Sequence, residues 1–72
     1  MSIEINGKII SVGEKYTNAG IVYKVICFDN IEEIDNEKFP ETIVYKNIEN
    51  GRIHSGPVSD WFRSMKKVED DG

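Results

Sequence analysis

Apolar residues recur along the chain in short runs separated by Gly and Asn, a pattern typical of β-strands joined by tight turns. The clearest run is Thr42–Tyr45, where β-branched and aromatic side chains suit a half-buried pleated surface. Glu49–Gly51 follows as a turn, and Arg52–Ser55 is the predicted return strand of a hairpin. Gly56 and Pro57 should end that strand, because proline donates no backbone hydrogen bond to a ladder.

Two earlier segments are also predicted to be extended. Ile21–Phe28 carries apolar side chains on both faces, with Tyr23, Val25 and Cys27 together on one of them by alternation. We therefore expect a central strand that is covered on both sides. Asn6–Gly7 lies between apolar residues, which is the strongest short-range signal for a β-hairpin.

The C-terminal part predicts a helical turn followed by a last strand. Ser59 is a candidate N-cap for a short helical turn near Asp60–Met65, and Lys66–Val68 is the last predicted strand. Short strands, Gly and Asn turns and one helical turn indicate a mainly β protein, an SH3-like small barrel of about five short strands. Residues 1–68 are expected to form one domain, and residues 69–72 an acidic flexible tail.

The formal net charge of the 72 residues is −4, which disfavours nonspecific binding to nucleic acid or to anionic membranes. The charge is uneven, because residues 29–41 hold six acidic side chains and one lysine. This acidic loop is either a solvated connection or a partner-binding surface, and connections of this length are often functional. The candidate partner-binding residues are Asp29, Glu32, Glu33, Asp35 and Glu37.

A second candidate surface combines cations with aromatic rings near the C-terminal turn. Small barrels often bind nucleic acid or nucleotides through aromatic platforms flanked by cations. The competing interpretation places Trp61 mostly in the core, since a chain this short needs its largest apolar side chains there. The residues of this basic and aromatic face are Tyr45, Arg52, His54, Trp61 and Arg63.

Other classes of chemistry find little support in the chain. The single cysteine, Cys27, lies in an apolar run and is interpreted as a small buried side chain in a protein of a reducing compartment. His54 and Ser55 are neighbours on one strand and point to opposite faces, so they cannot readily form a catalytic triad with Asp60. We therefore predict no enzymatic activity, no cofactor and no metal site. The chain has no apolar run of membrane-spanning length and no signal peptide, so we expect a cytoplasmic monomer or homodimer.

Several positions form a pattern that resembles a family of short bacterial and phage-borne domains of unknown function. In that family a "YxHYKGxxYxV" opening leads to "VVY", then to "GxxWxRP" and "MF". The resemblance covers Tyr16–Phe62 and implies a small SH3-like β-barrel and a bacterial or phage source, without implying a catalytic residue. The family's tryptophan falls at His54 and its arginine at Gly56. The matching positions are Tyr16, Gly20, Tyr23, Val25, Ile43, Val44, Tyr45, Gly51, Pro57 and Trp61 or Phe62.

We therefore expect a non-enzymatic interaction module, a bacterial or phage accessory protein that binds a host or cognate protein through the acidic loop and the edge of the hairpin. The alternative is nucleic-acid or nucleotide binding through the basic and aromatic face. Carboxylates in a loop can steer a basic partner surface by electrostatic complementarity.

Charge reversal of Glu32, Glu33 and Asp35 should weaken partner binding and reduce its salt dependence, because the attraction between unlike charges is lost. A pull-down titration at several salt concentrations measures both quantities. Unchanged affinity in that titration would remove the acidic loop from the binding surface.

Overall fold

A computed structural model describes residues 1–29 and 41–68. Within these ranges the chain is mainly β, with seven strands in two antiparallel sheets and one short helical segment. The predicted partner-binding residues 32, 33, 35 and 37, and the predicted tail at residues 69–72, lie outside the described residues. The elements are β1 Ser2–Ile5, β2 Lys8–Ser11, β3 Lys15–Asn18, β4 Ile21–Asp29, β5 Thr42–Asn47, β6 Ile53–Pro57, a 3₁₀ turn Val58–Asp60, α1 Trp61–Ser64 and β7 Lys66–Lys67.

The N-terminal hairpin forms at the predicted Asn-Gly signal. Strands β1 and β2 pair in register from Ser2 opposite Ser11 to Ile5 opposite Lys8. Asn6 and Gly7 have φ angles of 50° and 81°, the left-handed values that a two-residue type I′ turn requires at both central positions. The hairpin then packs against the larger sheet, with a side chain of β2 fully inside the core.

The larger sheet has five strands in the order β6-β5-β4-β3-β7. Strands β3 to β6 form a meander, and the helical segment returns the chain so that β7 pairs with β3. The described chain is thus a small, mainly β domain with a helical turn before its last strand, as the sequence predicts. The N-terminal hairpin, which Asn6–Gly7 predicts, adds two more strands to these five.

A β-bulge in β4 changes which side chains of that strand are buried. Val25 pairs with Tyr45, but the next pair is Cys27 with Val44, so Ile26 is an extra residue. An extra residue reverses the alternation of faces, which leaves Phe28 against the core and Cys27 exposed. The prediction that Cys27 is buried was therefore wrong. Strand β4 is central in the sheet, as predicted, but its residues Lys24, Ile26 and Cys27 are exposed among the described residues, so the expectation of cover on both sides is wrong for this part of the strand.

The side chain of Asn47 shapes the turn between β5 and β6. It is buried, and its Oδ1 accepts the Glu49 N–H at 2.9 Å and the Asn50 N–H at 3.4 Å. Asn50 in turn accepts the Arg52 N–H at 2.9 Å. These side-chain acceptors satisfy backbone N–H groups that have no ladder partner where the chain reverses, a role that asparagine commonly has in turns.

The helical segment holds the largest apolar side chain in the core. Trp61 is 4% exposed and packs edge-on against Tyr16 at 5.1 Å between ring centroids, so core packing is the correct interpretation of this residue. Ser59 does not cap the helix, because it lies inside the 3₁₀ turn and neither helical piece has a side-chain cap. The buried apolar core comprises Ile10, Tyr16, Val25, Ile43, Val58, Trp61 and Met65.

A carboxylate ties the last strand to the turn before β3. Glu14 accepts the Ser11 N–H at 2.6 Å through Oε1 and forms an ion pair with Lys67 through Oε2. Burial acts to raise the pKa of Glu14, but Lys67 and the Ser11 N–H outweigh it and lower the pKa below its ordinary value of 4.5. The folded state therefore favours the ionised carboxylate.

Ile10→Ala should lower the free energy of unfolding by about 2–5 kcal/mol, because Ile10 is fully buried and its loss leaves a cavity in the core. The adjacent Ile9 is a matched control, since it is 59% exposed and Ile9→Ala should change stability by less than about 0.5 kcal/mol. Urea denaturation followed by Trp61 fluorescence measures both. Equal losses in the two variants would contradict this packing of the hairpin.

Glu14→Gln should lower the free energy of unfolding at neutral pH and change it little at strongly acidic pH. The lowered pKa means that the carboxylate stabilises the fold above its ordinary pKa of 4.5, and that this contribution is lost as the pH falls through the folded-state value. Denaturation curves over a pH series measure the effect. Glu4→Gln, at an exposed position of β1, is the control, and the same pH profile in both variants would contradict the assignment.

Candidate interaction surface

Among the residues that the structure describes, strand β6 is one of the two edges of the five-stranded sheet, because β5 is its only neighbour there. The register places His54 opposite Tyr45 and Ser55 opposite Val44. The predicted separation of His54 and Ser55 onto opposite faces is thus confirmed. Apart from Gly56, every residue of β6 is exposed, and Ile53 exposes 59% of its surface.

The outer side of β6 carries backbone groups without partners. Asn47 N–H donates to the Arg52 carbonyl, and Val58 N–H donates to the Glu41 carbonyl, each at 2.9 Å. Since hydrogen-bonded and non-hydrogen-bonded pairs alternate along an antiparallel ladder, the N–H and C=O groups of Ile53 and Ser55 point away from β5. Within the described part of the chain, these outward groups have no hydrogen-bond partner.

An aromatic cluster lies on the core-facing side of this edge. The His54 ring stacks on Tyr45 at 5.6 Å with an interplanar angle of 23°. Tyr23 meets both rings edge-on, at 5.2 Å from Tyr45 and 5.9 Å from His54. Burial, and to a smaller extent the neighbouring Tyr23, raises the pKa of the Tyr45 phenol.

A shallow pocket continues from the aromatic cluster along β6. Its volume is about 190 Å³, enough for a single side chain. Its apolar walls come from Tyr45 and Trp61, and Gly56 forms part of its rim without a side chain. The complete lining is Tyr45, Gly56, Pro57, Asp60, Trp61, Ser64 and Met65.

The structure brings together only part of the predicted basic and aromatic face. Tyr45 and His54 stack on each other, and Tyr45 contacts Trp61 edge-on at 5.0 Å. Trp61 is buried and offers no open ring face for a base. Arg63 is engaged with Asp60 at 3.2 Å in an exposed ion pair. Arg52 is exposed at the start of β6, in the turn rather than over a ring.

The acidic loop can be placed only at its boundaries. Asp29 is exposed at the end of β4, where it pairs with Thr42, and Thr42 in turn pairs with Pro57 of β6. The loop therefore leaves the sheet at the Pro57 end of the edge strand, whereas Arg52 lies at the other end. The edge thus runs from a cationic end to an acidic one.

Sequence reasoning missed two features of this surface. Tyr23 belongs to the aromatic cluster, and the signal was present, because Tyr23 and Val25 alternate onto the core face. The pocket beneath Gly56 could not be predicted, since it depends on how the helical segment packs beside β6. Across residues 1–29 and 41–68, no group of side chains is placed to hold a metal ion, and no helix is long and apolar enough to cross a membrane.

Comparisons of the chain with protein-family models, with curated proteins and with solved structures found no match. The resemblance to short bacterial and phage domains accordingly stays a prediction that rests on the residue pattern alone.

Proposed function

We propose that the protein is a non-enzymatic interaction module whose β6 edge receives an extended segment of a protein partner. In this mode the backbone of the partner adds a strand to the sheet, and pockets beside the edge select alternate side chains of the added strand. The observation that carries the proposal is the contrast between the two edges of the five-stranded sheet.

One edge of the sheet is protected against strand addition. Strand β7 is only two residues long, and both residues are lysines. Short edge strands that carry lysine are a common means of preventing association between sheets. Lys67 is also held by Glu14.

The other edge lacks this protection. Strand β6 has five residues, none of which is Lys, Arg, Asp or Glu, and proline is present only at its end. Its outward N–H groups, at Ile53 and Ser55, are spaced as a second strand requires. An edge strand without lysine or acidic side chains can pair with a strand of another chain. The lack of protection therefore supports β6 as the interaction surface.

The surroundings of β6 define the chemistry of the partner. An added strand places alternate side chains on the core-facing side, where the His54–Tyr45 stack and the 190 Å³ pocket accept an apolar group. Arg52 favours an acidic residue at its end of the added strand. The residues that bound the acidic loop, Asp29 and Glu41, lie toward the Pro57 end of the edge, where they favour a basic region of the partner.

Ser55→Pro should abolish strand addition while the fold persists, because the Ser55 N–H is not used in the β5–β6 ladder and proline is tolerated on edge strands. Ser55→Ala is the matched control, since it removes the hydroxyl and keeps the N–H. Extended peptides selected on the wild-type protein from a displayed random library should bind Ser55→Ala within about twofold and Ser55→Pro at least about tenfold more weakly.

Unfolding curves of the two variants establish that Ser55→Pro is folded. Capture from bacterial lysate, with and without nuclease, then compares the same three proteins. Partners retained equally by Ser55→Pro and Ser55→Ala would refute strand addition, and capture that nuclease abolishes would favour the nucleic-acid alternative.

A further inference from the structure

A groove beside β7, the strand at the other edge of the five-stranded sheet from β6, combines lysines with aromatic and apolar side chains. It lies between the N-terminal hairpin and the C-terminal strand and has a volume of about 480 Å³, within the range of about 300–1,000 Å³ of small-molecule sites. The sequence pattern did not predict this groove, and the interaction surface along β6 shares only Met65 with it. The residues that line it are Lys8, Ile9, Tyr16, Phe62, Met65, Lys66 and Lys67.

The charge of the groove is opposite to that of the whole protein. Of its three lysines, Lys67 is neutralised by the ion pair with Glu14. Lys8 and Lys66 have no carboxylate partner among the described residues, which leaves two positive charges at the groove in a chain of net charge −4. A phosphate monoester carries about −1.5 to −2 at pH 7 and matches this excess more closely than a carboxylate.

An aromatic ring lies directly beside one of these cations. The Nζ of Lys8 is 4.8 Å from the centroid of the Phe62 ring, and Phe62 is only half-buried. A phosphate held by Lys8 would therefore lie next to the ring, so that a flat group attached to the phosphate can pack on the exposed parts of Phe62 and Ile9. Lys66 of β7 lines the same groove, so lysines from two different elements border it.

We propose that the groove of Lys8, Lys66 and Phe62 binds a nucleoside phosphate, with the phosphate between the two lysines and the base on the apolar wall. This site shares only Met65 with the pocket beside β6, and it does not depend on strand addition. It also differs from the basic and aromatic face that the sequence suggested, because Arg52, His54 and Arg63 do not line it.

Titration of the full-length protein with adenosine monophosphate at low salt tests the proposal, with amide chemical shifts and Trp61 fluorescence as readouts. Trp61 reports on the groove because it contacts Tyr16, a lining residue, at 5.1 Å. Saturable binding that perturbs Tyr16, Phe62 and Met65, and that is at least about tenfold tighter than binding of adenosine or inorganic phosphate alone, is the expected result. Binding no tighter than that of inorganic phosphate would overturn the proposal.

Variants locate the site. Lys8→Gln and Lys66→Gln should each weaken binding at least about fivefold, because each removes a charge-assisted hydrogen bond to phosphate. Lys24→Gln, at an exposed position of β4, and Ser55→Pro should leave binding unchanged, which separates this site from the β6 edge. If Lys24→Gln weakened binding as much as the groove variants do, the effect would be due to net charge alone and the proposed site would be wrong.

Two further ligands identify the source of the phosphate. A single-stranded oligonucleotide with a 5′-phosphate that binds more tightly than adenosine monophosphate supports the site as a receptor for strand ends, and weaker binding supports a free nucleotide. Phosphotyrosine that binds more tightly than adenosine monophosphate would overturn the nucleoside assignment.

Discussion

The fold depends on the packing of Trp61 beneath the sheet. Its ring meets Tyr16 of β3 at 5.1 Å and Tyr45 of β5 at 5.0 Å, both edge-on, and so spans the two strands on either side of β4. Aromatic pairs of this geometry contribute about 0.5–1.5 kcal/mol beyond the burial of area. Among the described residues the buried indole N–H meets no acceptor with full hydrogen-bond geometry, although its interaction with the Tyr16 hydroxyl acts to lower the pKa of that phenol against the larger effect of burial.

The position of Trp61 also determines what the two ends of the sheet can do. Strand β7 follows the helical segment that contains Trp61 and pairs with β3. Together with the N-terminal hairpin, β7 also lines the lysine groove. At the other end of the sheet, Trp61 packs against Tyr45, and the ring of Tyr45 stacks on that of His54 at the open edge. A small core thus supports two separate surfaces, one of unpaired backbone and one of positive charge.

Much of the strand pattern could be predicted from the sequence, because hairpin turns and alternating side chains are local signals. Asn6–Gly7 and the β5–β6 hairpin form where local chemistry predicts them. The bulge at Ile26 could not be predicted, since an extra residue is defined only by the register of the partner strand β5. The exposure of Cys27 followed from that bulge.

The candidate surfaces show the same division between local and long-range information. Local alternation placed His54 on a strand with Ser55 facing the other way, but only the strand order shows that this strand is an edge. The basic and aromatic face failed to assemble as a stacking platform because Trp61 is needed in the core. Lys8 and Lys66 are 58 positions apart in the sequence, so their presence in one groove depends on how the hairpin packs beside β7.

The central claim is that the outer side of β6 is open. Residue-resolved amide hydrogen exchange of the free protein tests it most directly, because neighbouring residues of one strand serve as internal controls. The account predicts slow exchange at His54, whose N–H belongs to the ladder with β5, and fast exchange at Ile53 and Ser55. Protection of Ser55 equal to that of His54 would show that the edge is already occupied and would contradict the account.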